Sequence, residues 1–254
     1  VPEPLRSVAA TRYVCALREG GSLPGLVEAD DDGLYVTKLR GAGQGERALV
    51  AEVLAGELAR ALGLPVPELV VVEIAPELAA AEPDPEIQEL ISASAGTNAG
   101  MDFLPGALPF LPAAGVPPDP AFAADVVWFD ALVTNVDRTH RNPNLLVWHG
   151  RTWLIDHGAA FFRQHGTRPL RETAGEAVPQ LADHVLLPFA APLAEADERL
   201  ATRATAAVDG AAALVPDVWL GEDPAARRDD LATFLHARLS APRDFVEEAD
   251  RARG

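Results

Sequence analysis

A few side chains in this 254-residue sequence have the types and the order that phosphoryl transfer from ATP requires. Lys38 is the only lysine, every other lysine or arginine position being arginine. Its compact ammonium can neutralise phosphate oxygens as a point charge, where a guanidinium would act as a planar fork. The run after it carries two acids able to hold that ammonium, Glu52 and Glu57. Asp137 and Asn142 stand in D-R-T-H-R-N, and Asp156 opens D-H-G. Asp137 would orient an acceptor hydroxyl. The Asn142 amide and the Asp156 carboxylate would supply the hard oxygens that Mg²⁺ prefers. Ahead of Lys38, G-G-S-L-P-G offers Gly20, Gly21 and Ser22 as a phosphate cover, though the same residues make an ordinary turn.

Positioning these groups takes a definite set of elements. R-Y-V-C-A-L-R-E and G-L-Y-V-T-K-L read as two strands flanking the glycine turn, with Lys38 ending the second. Residues 46–62 read as a helix, with Leu49, Val50, Val53, Leu54, Leu58, Ala61 and Leu62 at helical spacing and Gly63 as its stop. On that wheel Glu57 falls on the apolar face and Glu52 opposite. E-L-V-V-V-E-I reads as a buried strand, and S-A-S-A-G-T-N-A-G as a loop before the apolar patch M-D-F-L. Asn98 and Asp102 read as loop-structuring residues. The proline-rich L-P-F-L-P-A-A-G-V-P-P-D-P marks a boundary, after which Asp119 and Pro120 start a helix that is apolar all round and therefore buried. Asp130 within it needs buried partners and is placed to brace the D-R-T-H-R-N loop. N-L-L-V-W and R-T-W-L-I then flank the His149-Gly150 turn of a hairpin whose second strand delivers Asp156. The last third reads as helical stretches broken by Pro and Gly, ending in a charged helix from about Asp229.

In this order the motifs resemble the HipA-like kinases. L-Y-V-T-K-L-R-G, A-E-V-L-A-G-E-L-A-R-A-L-G-L-P-V-P, S-A-G-T-N-A-G-M-D-F-L-P-G-A, V-V-W-F-D-A-L-V-T-N-V-D-R-T-H-R-N-P-N-L-L and L-I-D-H-G-A-A-F carry the likeness over roughly the first two-thirds of the chain. The D-R-x-x-x-N and I-D-H-G pieces are also similar to the phosphoinositide kinases. The resemblance implies an α+β, bilobal protein-kinase-like fold. A small antiparallel-sheet N-lobe with one main helix would span residues 1–104, and a mostly helical C-lobe residues 105–254. It further implies ATP and Mg²⁺ in the cleft, Met101, Asp102, Phe103 and Leu104 as the hinge beside adenine, and Glu52 as the acid paired with Lys38. Two positions depart from the family pattern. Ala51 stands where many members have asparagine, and the histidine of D-x-H-x-x-N is displaced, with Thr139 in its place and His140 one later.

The bulk composition bounds the partners. A net charge of −17 disfavours nucleic acid and anionic membrane surfaces. The single cysteine, Cys15, excludes an internal disulfide, and the absence of a signal-like start or long apolar run points to a cytoplasmic protein. The expected activity is an ATP-dependent transfer to a hydroxyl of a protein Ser/Thr or of a small molecule. A nucleotide-binding pseudokinase and a transferase of AMP are the alternatives.

Overall fold

The computed structural model describes residues 3–17, 24–43, 45–112 and 117–253. Strands β1 (Ser7–Ala16), β2 (Gly25–Ala29) and β3 (Leu34–Lys38) lead into helix α1 (Glu46–Ala61) and strand β4 (Leu69–Ile74). Helix α2 (Pro85–Ala93) and strand β5 (Gly96–Asp102) follow. The short strand β6 (Leu108–Pro109), helix α3 (Pro120–Leu132) and the hairpin β7 (Leu145–Trp148)–β8 (Arg151–Leu154) come next. After several 3-10 turns the chain ends in α4 (Leu193–Ala213), α5 (Pro224–Leu239) and α6 (Asp244–Arg253). Among the described residues no helix is long and apolar enough to cross a membrane.

The first five strands form a closed barrel in the order β1-β2-β3-β5-β4. All pairs are antiparallel except β1 with β4, where Ser7 and Val8 run parallel to Val71 and Val72. That parallel pairing closes the sheet and is the one departure from the antiparallel sheet that the family resemblance implies. Val8, Val27, Tyr35, Val70, Val72 and Ile74 fill the barrel, and Ile87 and Ile91 of α2 pack with them. Two further readings need correction. The five residues of β2 are short enough to be taken for part of a turn, so Lys38 ends the third strand and not the second. G-T-N-A-G-M-D is a strand, although it is poor in β-formers. It threads between β3 and β4, where a Cβ on Gly100 would lie 2.5 Å from a Val72 methyl. Close approach of backbone to side chain, not propensity, selects that glycine.

The second core is larger. It joins α1, α3, α4 and α5 with the outer barrel residues Leu69, Ala99 and Met101. Helix α1 is buried from Leu49 to Ala59 except at Glu57, because barrel strands cover one side and α4 the other. Helix α3 begins as read: the Asp119 carboxylate accepts from the Phe122 amide at 2.9 Å, and Pro120 occupies the first turn. The β7–β8 turn is His149-Gly150, both residues left-handed (φ 49° and 73°), as a two-residue hairpin of primed type needs. The charged C-terminal helix begins at Pro224, earlier than Asp229, and a break at residues 240–243 splits it into α5 and α6.

Candidate functional site

Alternation along β3 turns Tyr35 into the barrel and Lys38 outward, against α1. There the Lys38 ammonium lies 2.5 Å from Glu52 Oε2 and 2.5 Å from Asp156 Oδ1. Its side chain is only 13% exposed and that of Glu52 only 3%. Burial opposes the charge of Lys38, yet the two carboxylates outweigh it and raise its pKa. Burial likewise pushes Glu52 up, but Lys38, with the His157 ring beside it, holds the carboxyl down at about 2. Glu57 pairs instead with Arg60 one turn along α1, and burial moves its pKa up. The acid on Lys38 is therefore Glu52, not the one favoured by helical periodicity.

Asp156 leaves β8 in a left-handed conformation (φ 56°), which aims its carboxylate back at Lys38. Gly158 completes the tripeptide, and a Cβ there would stand 2.7 Å from the Lys38 nitrogen. His157 between them is fully buried, its Nδ1 3.6 Å from Glu52 Oε1.

Asp137 follows α3 in a tight loop. The Thr139 amide bonds the carbonyls of Asp137 and Asn142, both at 3.0 Å, and the Thr139 hydroxyl accepts from the Asn142 amide at 3.3 Å. Thr139 thus closes the loop, while His140 points to solvent. Asp137 Oδ2 accepts from the side-chain amides of Asn142 at 2.7 Å and Asn144 at 3.3 Å. Burial pushes the Asp137 carboxyl above the ordinary aspartate range and Asp156 adds to this, while Asn144, Asn142 and Lys38 pull the other way. Donation from Asn142 Nδ2 leaves the amide oxygen as the acceptor end. Asn142 Oδ1 and the 35%-exposed Asp156 carboxylate are a donor set that fits Mg²⁺. Among the described residues no cluster of three or more His, Cys, Asp or Glu side chains could cage a metal. Two protein oxygens suit an ion that completes its shell with water and phosphate.

Beneath the loop, Asp130 on α3 has the buried partners its setting demands. Arg138 Nε lies 2.5 Å from it, His184 Nε2 2.9 Å, and Asn135 Nδ2 3.0 Å. Burial would raise the Asp130 pKa, but Arg138 and His184 hold it well below the aspartate range. The Leu186 amide donates to His184 Nδ1, so His184 Nε2 carries the proton toward Asp130. Arg138, Asn144 and Gly158 were not singled out from the sequence. The N-P-N repeat of the Asp137 loop was the one local signal for Asn144.

Met101 to Leu104 run out of β5. Met101 and Leu104 are buried, Asp102 is exposed, and the Asp102 and Phe103 amides bond the carbonyls of Glu68 and Leu34. Trp148 Nε1 donates to the Pro105 carbonyl at 2.9 Å, tying the β7–β8 hairpin to the end of this stretch. Asn98 is structural, its amide group bonding Arg40 N and the carbonyls of Ser94 and Gly96. Gly20, Gly21 and Ser22 lie outside the described residues. A groove of about 1080 Å³ between residues 62–65, β6 and the start of α3 shares none of the site residues.

The HipA-like kinase family model matches residues 12–244, and the chain belongs to that family, which makes it a kinase. Among solved structures it is similar to the Helicobacter pylori proinflammatory kinase CtkA (TM-score 0.59, 13% identity, 99% of this chain and 98% of that one). It is also similar to the Golgi casein kinase (TM-score 0.51, 15% identity, 99% and 73%), and to that kinase with Mn/ADP bound (TM-score 0.50, 14% identity, 93% and 73%). No curated protein matches the sequence.

Proposed function

We propose that the protein is an ATP- and Mg²⁺-dependent phosphotransferase that moves the γ-phosphoryl group to a hydroxyl, in the first instance a Ser or Thr of a protein. The observation that carries this reading is the single buried ammonium shared by Glu52 and Asp156. One end of that arrangement can reach phosphate oxygens and the other marks a metal position. In the reaction the acceptor oxygen bonds the γ-phosphorus, the bond to the β–γ bridging oxygen breaks to leave ADP, and the hydroxyl proton passes to Asp137. Lys38 neutralises the phosphates, and Glu52 fixes Lys38. Asn142 and Asp156 would hold the metal, which supplies charge neutralisation on the phosphate oxygens. Asn142 and Asn144 orient the Asp137 carboxylate through their amides. A nucleotide and a divalent ion bound to the Golgi casein kinase support the same use here. We assign residues 1–104 and 105–254 to the two lobes, Met101–Leu104 to the adenine edge, and Gly20, Gly21 and Ser22 to the phosphate cover.

Mass spectrometry after incubation with ATP and Mg²⁺, alone and with a generic protein acceptor, tests this. The expected result is a phosphate-sized gain on protein or acceptor that is lost in Asp156→Ala. An AMP-sized gain would make the enzyme a nucleotidyl transferase. No gain, and no ATP turnover across a panel of small hydroxyl compounds, would leave a pseudokinase.

A further inference from the structure

The two halves of the proposed metal site lie on different segments, the loop that ends in Asn144 and the strand exit at Asp156. Both segments meet one guanidinium. Arg138 Nη1 donates to the Asn144 carbonyl and, at 3.3 Å, to the Ile155 carbonyl. The Ile155 amide in turn bonds the same Asn144 carbonyl at 3.1 Å. Asn144 and Asp156 are both left-handed (φ 48° and 56°), conformations that non-glycine residues hold only when their surroundings impose them. Arg138 is itself immobilised. Its residue is 1% exposed, Nε is bonded to Asp130, and Asp130 is anchored by His184 and Asn135.

The geometry points to Arg138 as a positioning residue that sets the spacing of Asp137 and Asp156 by gripping the main chain of both segments at once. Asp130 and His184 form the fixed post to which it is tied. Lysine at this place would keep the charge but lose the planar fork, so it could not reach Asp130 and the two carbonyls together. The inference rests on the phosphotransferase reading for its kinetic consequence, but not for its structural one.

The test compares Arg138→Lys with Arg243→Lys, a control that weakens a two-point but less buried pair to Asp197 away from the site. For Arg138→Lys, kcat should fall about 100-fold, as for a misplaced catalytic group, while KM for ATP stays within about threefold. Amide exchange at Ile155 should quicken at least about tenfold through local opening, with the barrel strands unchanged. Should Arg138→Lys fail to fold, Asp130→Asn, which removes the post and leaves the guanidinium, should give the same two changes in smaller measure. If the Arg138 and Asp130 variants merely track Arg243→Lys in both readouts, the positioning role is wrong. If the wild type turns over no ATP, the kinase reading fails, and Ile155 exchange alone then decides for or against Arg138.

Discussion

Replacing Glu52 by glutamine keeps the shape of the side chain and removes its charge, leaving Lys38 with Asp156 alone. Glu52 is 2% exposed, so water cannot replace what is lost. The gap between an ordinary glutamate and a carboxyl held at about 2 corresponds to about 3 kcal/mol. Breaking a buried pair from one side costs a similar amount, about 3–5 kcal/mol, and the surviving Asp156 contact favours the lower end. In a chain of this size that is a fall in Tm of roughly 6–12 °C. The pH dependence has a fixed sign. A depressed carboxyl stabilises the fold above its unfolded pKa, and this contribution drains away as pH falls toward about 2. Urea unfolding of wild type and Glu52→Gln should therefore differ by the full amount at neutral pH and converge in acid. Glu57→Gln is the control, because Glu57 is a one-turn partner of Arg60 whose charged form burial already disfavours. Its cost should stay within about 0.5 kcal/mol. Equal losses for the two variants, or a Glu52→Gln deficit that persists unchanged at low pH, would refute the assignment of the buried ion pair.

Gly158→Ala should displace the Lys38 ammonium, since the new methyl would stand 2.7 Å from it. Steady-state kinetics should show kcat/KM reduced by about 100-fold, with circular dichroism unchanged. Asn144→Gly tolerates the left-handed backbone but removes an amide that lowers the Asp137 pKa, so the acidic limb of the kcat/KM profile should move to higher pH. Thr134, a β-branched residue at φ 51° with a buried hydroxyl that lacks a protein partner, should be improved by glycine. Thr134→Gly is expected to raise stability by about 1 kcal/mol in denaturant unfolding.

The sequence made the order of the site legible because its chemistry is local. Lys38 ends a strand, Asp137 and Asn142 share one short loop, and Asp156 follows a hairpin whose turn residues announce themselves. What it concealed was long-range. The wheel argument preferred Glu57 because it assumes a wet face, and α1 has scarcely any: barrel strands and α4 bury it on both sides. The strand at Gly96–Asp102 was missed because its glycine answers to a Val72 methyl contributed by a neighbouring strand. Nothing in D-R-T-H-R-N distinguishes Arg138 from Arg141, and only the folded chain shows three backbone and side-chain acceptors converging on it.

The burial of α1 constrains how such an enzyme can be silenced. A helix with solvent along one flank can swing aside and take its acid with it, separating lysine from glutamate as an off state. Here that swing would tear α1 from α4 and expose the aliphatic side chains of Leu49, Val53, Leu54 and Leu58, all at 1% exposure or less. At about 1.5–3 kcal/mol for each large aliphatic side chain returned to water, the cost rivals the whole stability of a domain, about 5–15 kcal/mol. The packing of α1 thus holds Glu52 against Lys38, and parting the two by swinging the helix would come close to unfolding the domain.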